Sequence, residues 1–177
     1  MSKFQIFYDY ECPFCKKGYE DLMYLLPAYP GMEIDWRPIE AHPRPENVWP
    51  HTDLCIESFY IAVEQGADLD AFNRAMFHAA AIERRDVEKG EILAEILKGI
   101  VEGGKFLESL KSRKYAFKVS ENNNLAYEEK EVWYVPAFRV PEMGLQAVPR
   151  LDARGGTGVS REEIRKFLDK LGGKLNN

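Results

Sequence analysis

The chain has 177 residues, with 24 Lys and Arg against 29 Asp and Glu, for a net charge of −5. Its 45% apolar and 30% charged residues exclude a disordered or collagen-like chain, and the acidic balance argues against a nucleic-acid partner. Three cysteines are too few for a disulfide-stapled mini-protein, and the length fits one domain, or one domain with an insertion.

Lys3 to Tyr8 is a short run rich in aromatic and β-branched residues and reads as a buried strand. Asp9-Tyr10-Glu11-Cys12-Pro13 follows, and Pro in the first turn marks a helix start. Cys15, Tyr19, Leu22, Met23 and Leu26 then fall on one helical face until Pro27 and Pro30-Gly31 stop it. Glu33 to Ile39 alternates apolar and polar residues and reads as a second strand ending at Pro38. Strand, helix and strand at this spacing favour a parallel crossover.

Glu40 to His51 contains Pro43, Pro45 and Pro50 and reads as an irregular connector. Helical periodicity follows: Cys55, Phe59, Ala62 and Val63 share a face, as do Leu69, Phe72, Met76 and Ala80, and then Leu93, Ile96, Leu97, Ile100 and Val101. Phe106, Leu107 and Leu110 make a shorter helix, and another spans Lys114 to about Glu128. Thr52 and Asp68 are candidate N-caps, and Gly66 and Gly103 candidate stops. Val132 to Val140 returns to strand with Pro136 inside it. Pro141 to Gly144 is a turn signal, and Leu145 to Val148 is a return strand. Ser160 and Glu163 have capping-box spacing ahead of a last helix whose apolar face is Ile164, Phe167, Leu168 and Leu171. Gly155-Gly156-Thr157-Gly158 lacks the Lys-Ser/Thr of a phosphate loop and reads as a flexible turn. The reading is therefore an α/β fold built from residues 1–51 and 129–177, with a mainly helical insertion at 52–128.

Cys12-Pro13-Phe14-Cys15 is a C-x-x-C at a strand–helix junction. The helix N-terminus offers free N–H groups and the positive end of the dipole to the first sulfur, stabilising a thiolate. Cys12 is the expected nucleophile, and Cys15, on the apolar face, the resolving thiol. A structural zinc site needs four ligands; Cys55, His42, His51 and His78 show no ligand spacing, so no metal is expected. Cys55 reads as a packed small hydrophobe. Asp9 either relays a proton to the cysteines or makes turn hydrogen bonds. No apolar run reaches membrane-spanning length. The N-terminus lacks a secretory h-region, and Met1-Ser2-Lys3 reads as a native start, so the expected location is cytoplasmic. Stable structural disulfides are rare there, which also favours redox chemistry.

With Tyr8-Asp9-Tyr10-Glu11-Cys12-Pro13-Phe14-Cys15 early, a helical insertion, and Val135-Pro136-Ala137-Phe138 late, the chain resembles the DsbA-like branch of the thioredoxin superfamily. Within that branch it is similar to the FrnE-like and 2-hydroxychromene-2-carboxylate isomerase relatives. The resemblance implies a thioredoxin-like fold and a thiol–disulfide oxidoreductase exchanging disulfides with protein or small-thiol substrates. It implies a cis Pro136 facing Cys12 and Cys15, with Val135 offering its backbone to substrate and Pro13, Phe14 and Tyr134 flanking it. It implies no cofactor beyond glutathione as a thiol co-substrate. Two departures stand out. Tyr134, preceded by Trp133, stands where many relatives carry a Gly two residues before the proline, and these aromatics either narrow or line the site or pack in the core. Pro13-Phe14 replaces the Pro-His of strongly oxidising members, so a less oxidising couple is expected. The alternatives are a glutathione-dependent isomerase or transferase acting on a small aromatic substrate, against which Cys12 stands where those relatives carry Ser, and a non-enzymatic chaperone-like module.

Overall fold

A computed structural model describes residues 2–129, 132–149, 151–152, 155–156 and 158–172. The chain opens with β1 (Ser2–Tyr8), α1 (Pro13–Leu25) and β2 (Met32–Pro38). Helices α2 (Asp53–Glu64), α3 (Leu69–Phe77), α4 (Gly90–Ile96), α5 (Gly103–Lys111) and α6 (Ala116–Asn124) follow, with π-helical turns at His78–Ile82 and Leu125–Glu129. Then come β3 (Ala137–Val140), β4 (Leu145–Ala147), a small ribbon of β5 (Leu151–Asp152) and β6 (Gly155–Gly156), and α7 (Arg161–Leu171). The α/β class and the thioredoxin-like order expected from sequence are both present.

The main sheet runs β2-β1-β3-β4. β1 pairs in parallel with β2, Ile6 opposite Trp36, and antiparallel with β3, Ile6 opposite Phe138. Side chains alternate across a strand, so β1 divides its apolar residues between two layers. Phe4, Ile6 and Tyr8 enter the larger core with Cys15, Tyr19 and Leu22 of α1 and Ile164, Phe167 and Leu168 of α7. Phe7 faces the other way and packs with Ile39, Ala126, Val132 and Ala137. The Phe4 and Phe167 rings meet edge to face at 5.5 Å, a geometry worth ~1 kcal/mol beyond burial.

The helical segment has no separate interior. Phe59, Phe72, Met76 and Phe77 belong to the same core as Tyr8, Tyr10 and Tyr19. The Tyr10 hydroxyl donates to Asn73 Oδ1 at 2.8 Å and sits 3.2 Å from the Tyr8 hydroxyl. Asn122, fully buried on α6, donates through Nδ2 to the Pro38 carbonyl at 2.9 Å and to the Tyr60 hydroxyl at 2.8 Å. These polar ties satisfy groups that would otherwise be costly to bury.

Several sequence expectations shift. Gly103 opens α5 rather than ending a helix, because Glu102 caps the next two free N–H groups, those of Gly104 and Lys105. The apolar face expected to run through Val101 breaks at Ile96, where Gly99 takes φ +83° and Lys98 bridges Val101 in a tight turn. Val63 is exposed while Cys55, Phe59 and Ala62 of its helix are buried. The strand expected from Val132 starts only at Ala137, because Pro136 has no N–H for the ladder. Asp68 caps α3 with its carboxylate. Thr52 occupies the N-cap position of α2 without capping it. Gly155-Gly156 forms a strand paired with Leu151-Asp152, whereas Thr157 lies outside the described residues. The Ser160–Glu163 capping box is formed.

Candidate active site

Cys12 is the N-cap of α1, and its extended φ/ψ (−84°, 115°) turns Sγ back over the first helical turn. The Cys15 N–H donates to that sulfur at 3.3 Å. Pro13, at the first helical position, has no N–H to leave unpaired. Three donors act on Cys12: the Cys15 thiol first, then the backbone N–H groups of Cys15 and Phe14. They hold its thiol below the ordinary cysteine range, against burial and the nearby Asp9 carboxylate. Cys15 has no exposed surface. Burial, and then the facing Cys12 sulfur, push its thiol well up. Adjacent thiols of one motif therefore differ in ease of ionisation, and both are free.

Asp9 lies beneath them, only 2% exposed. Its backbone carbonyl accepts the Cys12 N–H at 3.2 Å; its carboxylate accepts the Ala41 N–H at 2.7 Å and the Glu11 N–H at 3.2 Å. Burial raises its pKa from 3.8 to about 6, opposed by those N–H groups and by the Thr52 hydroxyl. Of the two functions weighed for Asp9 from sequence, the turn hydrogen bonds are present.

The Val135–Pro136 peptide is cis, as the resemblance implies. Pro136 is buried and Val135 partly so. A Cβ placed on Gly18 of α1 would stand 3.0 Å from Pro136 Cγ and 3.8 Å from Phe138 Cζ. Gly18 is therefore a point of close approach between the Cys12–Cys15 helix and the proline. A Gly inside a helix costs ~1 kcal/mol against Ala, and that cost within a well-patterned helix was the available sequence signal for this contact. Gly18→Val should destabilise the fold by about 1–3 kcal/mol through overpacking against Pro136, and slow disulfide exchange at the same time. Urea unfolding beside an exchange assay checks this, and an unchanged unfolding midpoint would show that the contact yields freely.

Phe14 is 46% exposed and lies over Gly158, where a Cβ would stand 3.1 Å from Phe14 Cβ. Trp133 and Tyr134 are 67% and 50% exposed, so the core-packing alternative for them does not hold. Trp133 contacts Tyr127 at 5.9 Å between ring centroids, and the Tyr127 hydroxyl donates to the Glu40 carbonyl. Cys55 is fully buried in the core. His42 pairs with Glu46 at 2.9 Å, and His51 Nδ1 lies 3.3 Å from the His42 carbonyl. Among the described residues no group of His, Cys, Asp or Glu is arranged to hold a metal ion.

A family model for the DSBA-like thioredoxin domain matches residues 3–148, from the first strand through the cis proline. The chain belongs to that family. The DSBA-like fold is shared with a probable DsbA oxidoreductase of Streptomyces coelicolor at 17% identity and a TM-score of 0.76, covering 100% of this chain and 92% of that one. It is shared with oxidised BdbD of Bacillus subtilis at 14% identity and a TM-score of 0.70, covering 97% and 87%. It is also shared with DsbM of Pseudomonas aeruginosa, a cytosolic disulfide reductase, at 12% identity and a TM-score of 0.62, covering 98% and 96%. The uncharacterized protein YwbO of Bacillus subtilis is 25% identical, the match covering 76% of this chain and 84% of that protein. Among the described residues of this DSBA-like chain, no helix is long and apolar enough to cross a membrane.

Proposed function

We propose that the protein is a thiol–disulfide oxidoreductase whose centre is Cys12-Pro13-Phe14-Cys15. The reading rests on Cys12 at a helix N-cap, with the Cys15 N–H donating to its sulfur. In the reducing direction the Cys12 thiolate attacks a substrate disulfide. One sulfur of that disulfide becomes bonded to Cys12; the other leaves as a thiolate and takes up a proton. Cys15 then gives up its proton and attacks Cys12 Sγ, releasing the second substrate thiol. The dithiol loses two electrons as one disulfide forms, and the substrate disulfide gains them. Oxidation of a substrate dithiol reverses each step. Asp9 accepts the Cys15 proton. Pro136 closes the far side of the centre, Val135 pairs its backbone with the substrate chain, and Pro13, Phe14 and Tyr134 flank it. In the reducing direction two glutathione thiols reduce the Cys12–Cys15 disulfide and leave joined as glutathione disulfide; in the oxidising direction glutathione disulfide takes the two electrons and leaves as two thiols. No metal or nucleotide enters the cycle.

An uncharged Phe14 adds no positive charge to hold the Cys12 thiolate, so the couple should lie well below the ~−120 mV of the strong oxidant DsbA, toward the ~−270 mV of thioredoxin. Equilibration in graded glutathione buffers, followed by alkylation and mass spectrometry, measures it. A protein that never forms a Cys12–Cys15 disulfide across that series would defeat the reading.

A further inference from the structure

The proposed chemistry leaves unused the charged turn that faces the residue just before Cys12. The π-helical turn His78–Ile82 ends at Glu83, and Arg84 follows with φ +55°. This is the left-handed position that glycine or asparagine fills at least cost. The Arg84 side chain crosses to the connector: Nη2 donates to the Trp49 carbonyl at 3.0 Å, and the guanidinium carbon stands 5.8 Å from the centre of the Trp49 ring. Nη1 lies 3.5 Å from Glu11 Oε2, and Glu11 immediately precedes Cys12. Arg84 and Trp49 are half-exposed, while the Glu11 side chain is only 13% exposed. The connector is also held from the segment that follows this turn, with Glu88 accepting from the His51 N–H at 2.8 Å and from Arg44 Nη2 at 3.3 Å.

We propose that Arg84, backed by the Trp49 ring, is a carboxylate-recognising subsite beside Glu11, one residue before Cys12, so that disulfides carrying an acidic group near the sulfur are preferred. This rests on the oxidoreductase reading above. At 3.5 Å the contact with Glu11 is longer than a full hydrogen bond, and a guanidinium has five N–H donors. Arg84 therefore keeps donors for an incoming carboxylate, which a planar fork grips in two places. Trp49 shields one side of the cation and offers an apolar surface to the substrate stem. On a chain of net charge −5 an acidic disulfide is repelled at long range, and Arg84 offsets that repulsion next to the residue that precedes Cys12. Glu11 competes for the same guanidinium and so sets the strength of the preference.

The test compares three small disulfides of similar size: 3,3′-dithiodipropionate (anionic), bis(2-hydroxyethyl) disulfide (neutral) and cystamine (cationic). The rate of mixed-disulfide formation on Cys12 is read by mass spectrometry for each. The anionic-to-neutral rate ratio should fall about fivefold in Arg84→Gln, the scale expected of one half-exposed ion pair. Arg84→Lys should lose less, and Glu11→Gln should raise the ratio. A pair of peptide disulfides with Glu or Gln beside the cysteine separates the sources: preference for Glu in the peptides alone assigns the subsite to acidic polypeptides, and preference in both series to small acids as well. An unchanged ratio in Arg84→Gln overturns the proposal. So does an equal loss with all three reagents, which would make Arg84 a strut for the connector. If Cys12 reacts with none of the reagents, the oxidoreductase reading fails first and takes the subsite with it.

Discussion

Cys12→Ser should abolish disulfide exchange, on the order of a thousandfold or more, because no other sulfur stands at the helix N-cap to form the mixed disulfide. Cys55 cannot substitute, being fully buried with its thiol pushed well up by desolvation. Cys15→Ser should behave differently. Cys12 still attacks, but the mixed disulfide is not resolved and accumulates, visible as a mass increase on Cys12 and as covalent complexes on non-reducing gels. The two variants together divide attack from resolution. A Cys12→Ser protein that still exchanges disulfides would end the proposed mechanism.

The second large effect belongs to Asp9. Its pKa is raised from 3.8 to about 6 by burial, so the folded state prefers the protonated carboxyl. The stability this confers is fully present below about pH 4 and is lost as pH rises through 6, a span worth up to about 3 kcal/mol. Asp9→Asn should remove that stretch of pH dependence from thermal or urea unfolding curves. Part of the gain near neutrality is offset, since an amide has one acceptor where Asp9 has two oxygens receiving the Glu11 and Ala41 N–H groups. In activity, Asn cannot take the Cys15 proton, and decay of the mixed disulfide should slow by on the order of 100-fold, losing its inflection near pH 6. Attack by Cys12 should not slow, because the carboxylate opposes that thiolate. Resolution with the same pH profile in both proteins would remove Asp9 from the proton path.

What could be read in advance follows physical range. β1, α1, β2 and α7 are local patterns with strong start and stop chemistry, and they fold where periodicity places them. The dithiol is contained in one helical turn and was legible whole. The cis peptide before Pro136 came only through family resemblance, since nothing in Val135-Pro136 itself selects it. The burial of Asp9 was not legible, because it depends on Ala41 and Thr52 arriving from beyond β2. Gly103 misled because a glycine before a helix and one after it look alike until the Glu102 cap is seen. The exposure of Trp133 and Tyr134 depends on what packs against residues 125–137, information that a local window of large aromatic residues does not carry.

The place of β1 in the sheet also governs how the protein is born. β1 lies between β2, which follows within 30 residues, and β3, whose Ala137, Phe138 and Arg139 pair with Phe7, Ile6 and Gln5. During synthesis the ribosome delivers one neighbour early and the other only after the whole helical segment has emerged. Until then β1 presents an open, apolar strand edge, the kind that pairs with other chains. Both thiols are already outside by that stage, while Pro136 and the α7 residues that cover Phe4 are still to come. A nascent chain stalled in that interval should be the species most prone to aggregation and to stray disulfides, and pairing of β3 with β1 closes both routes.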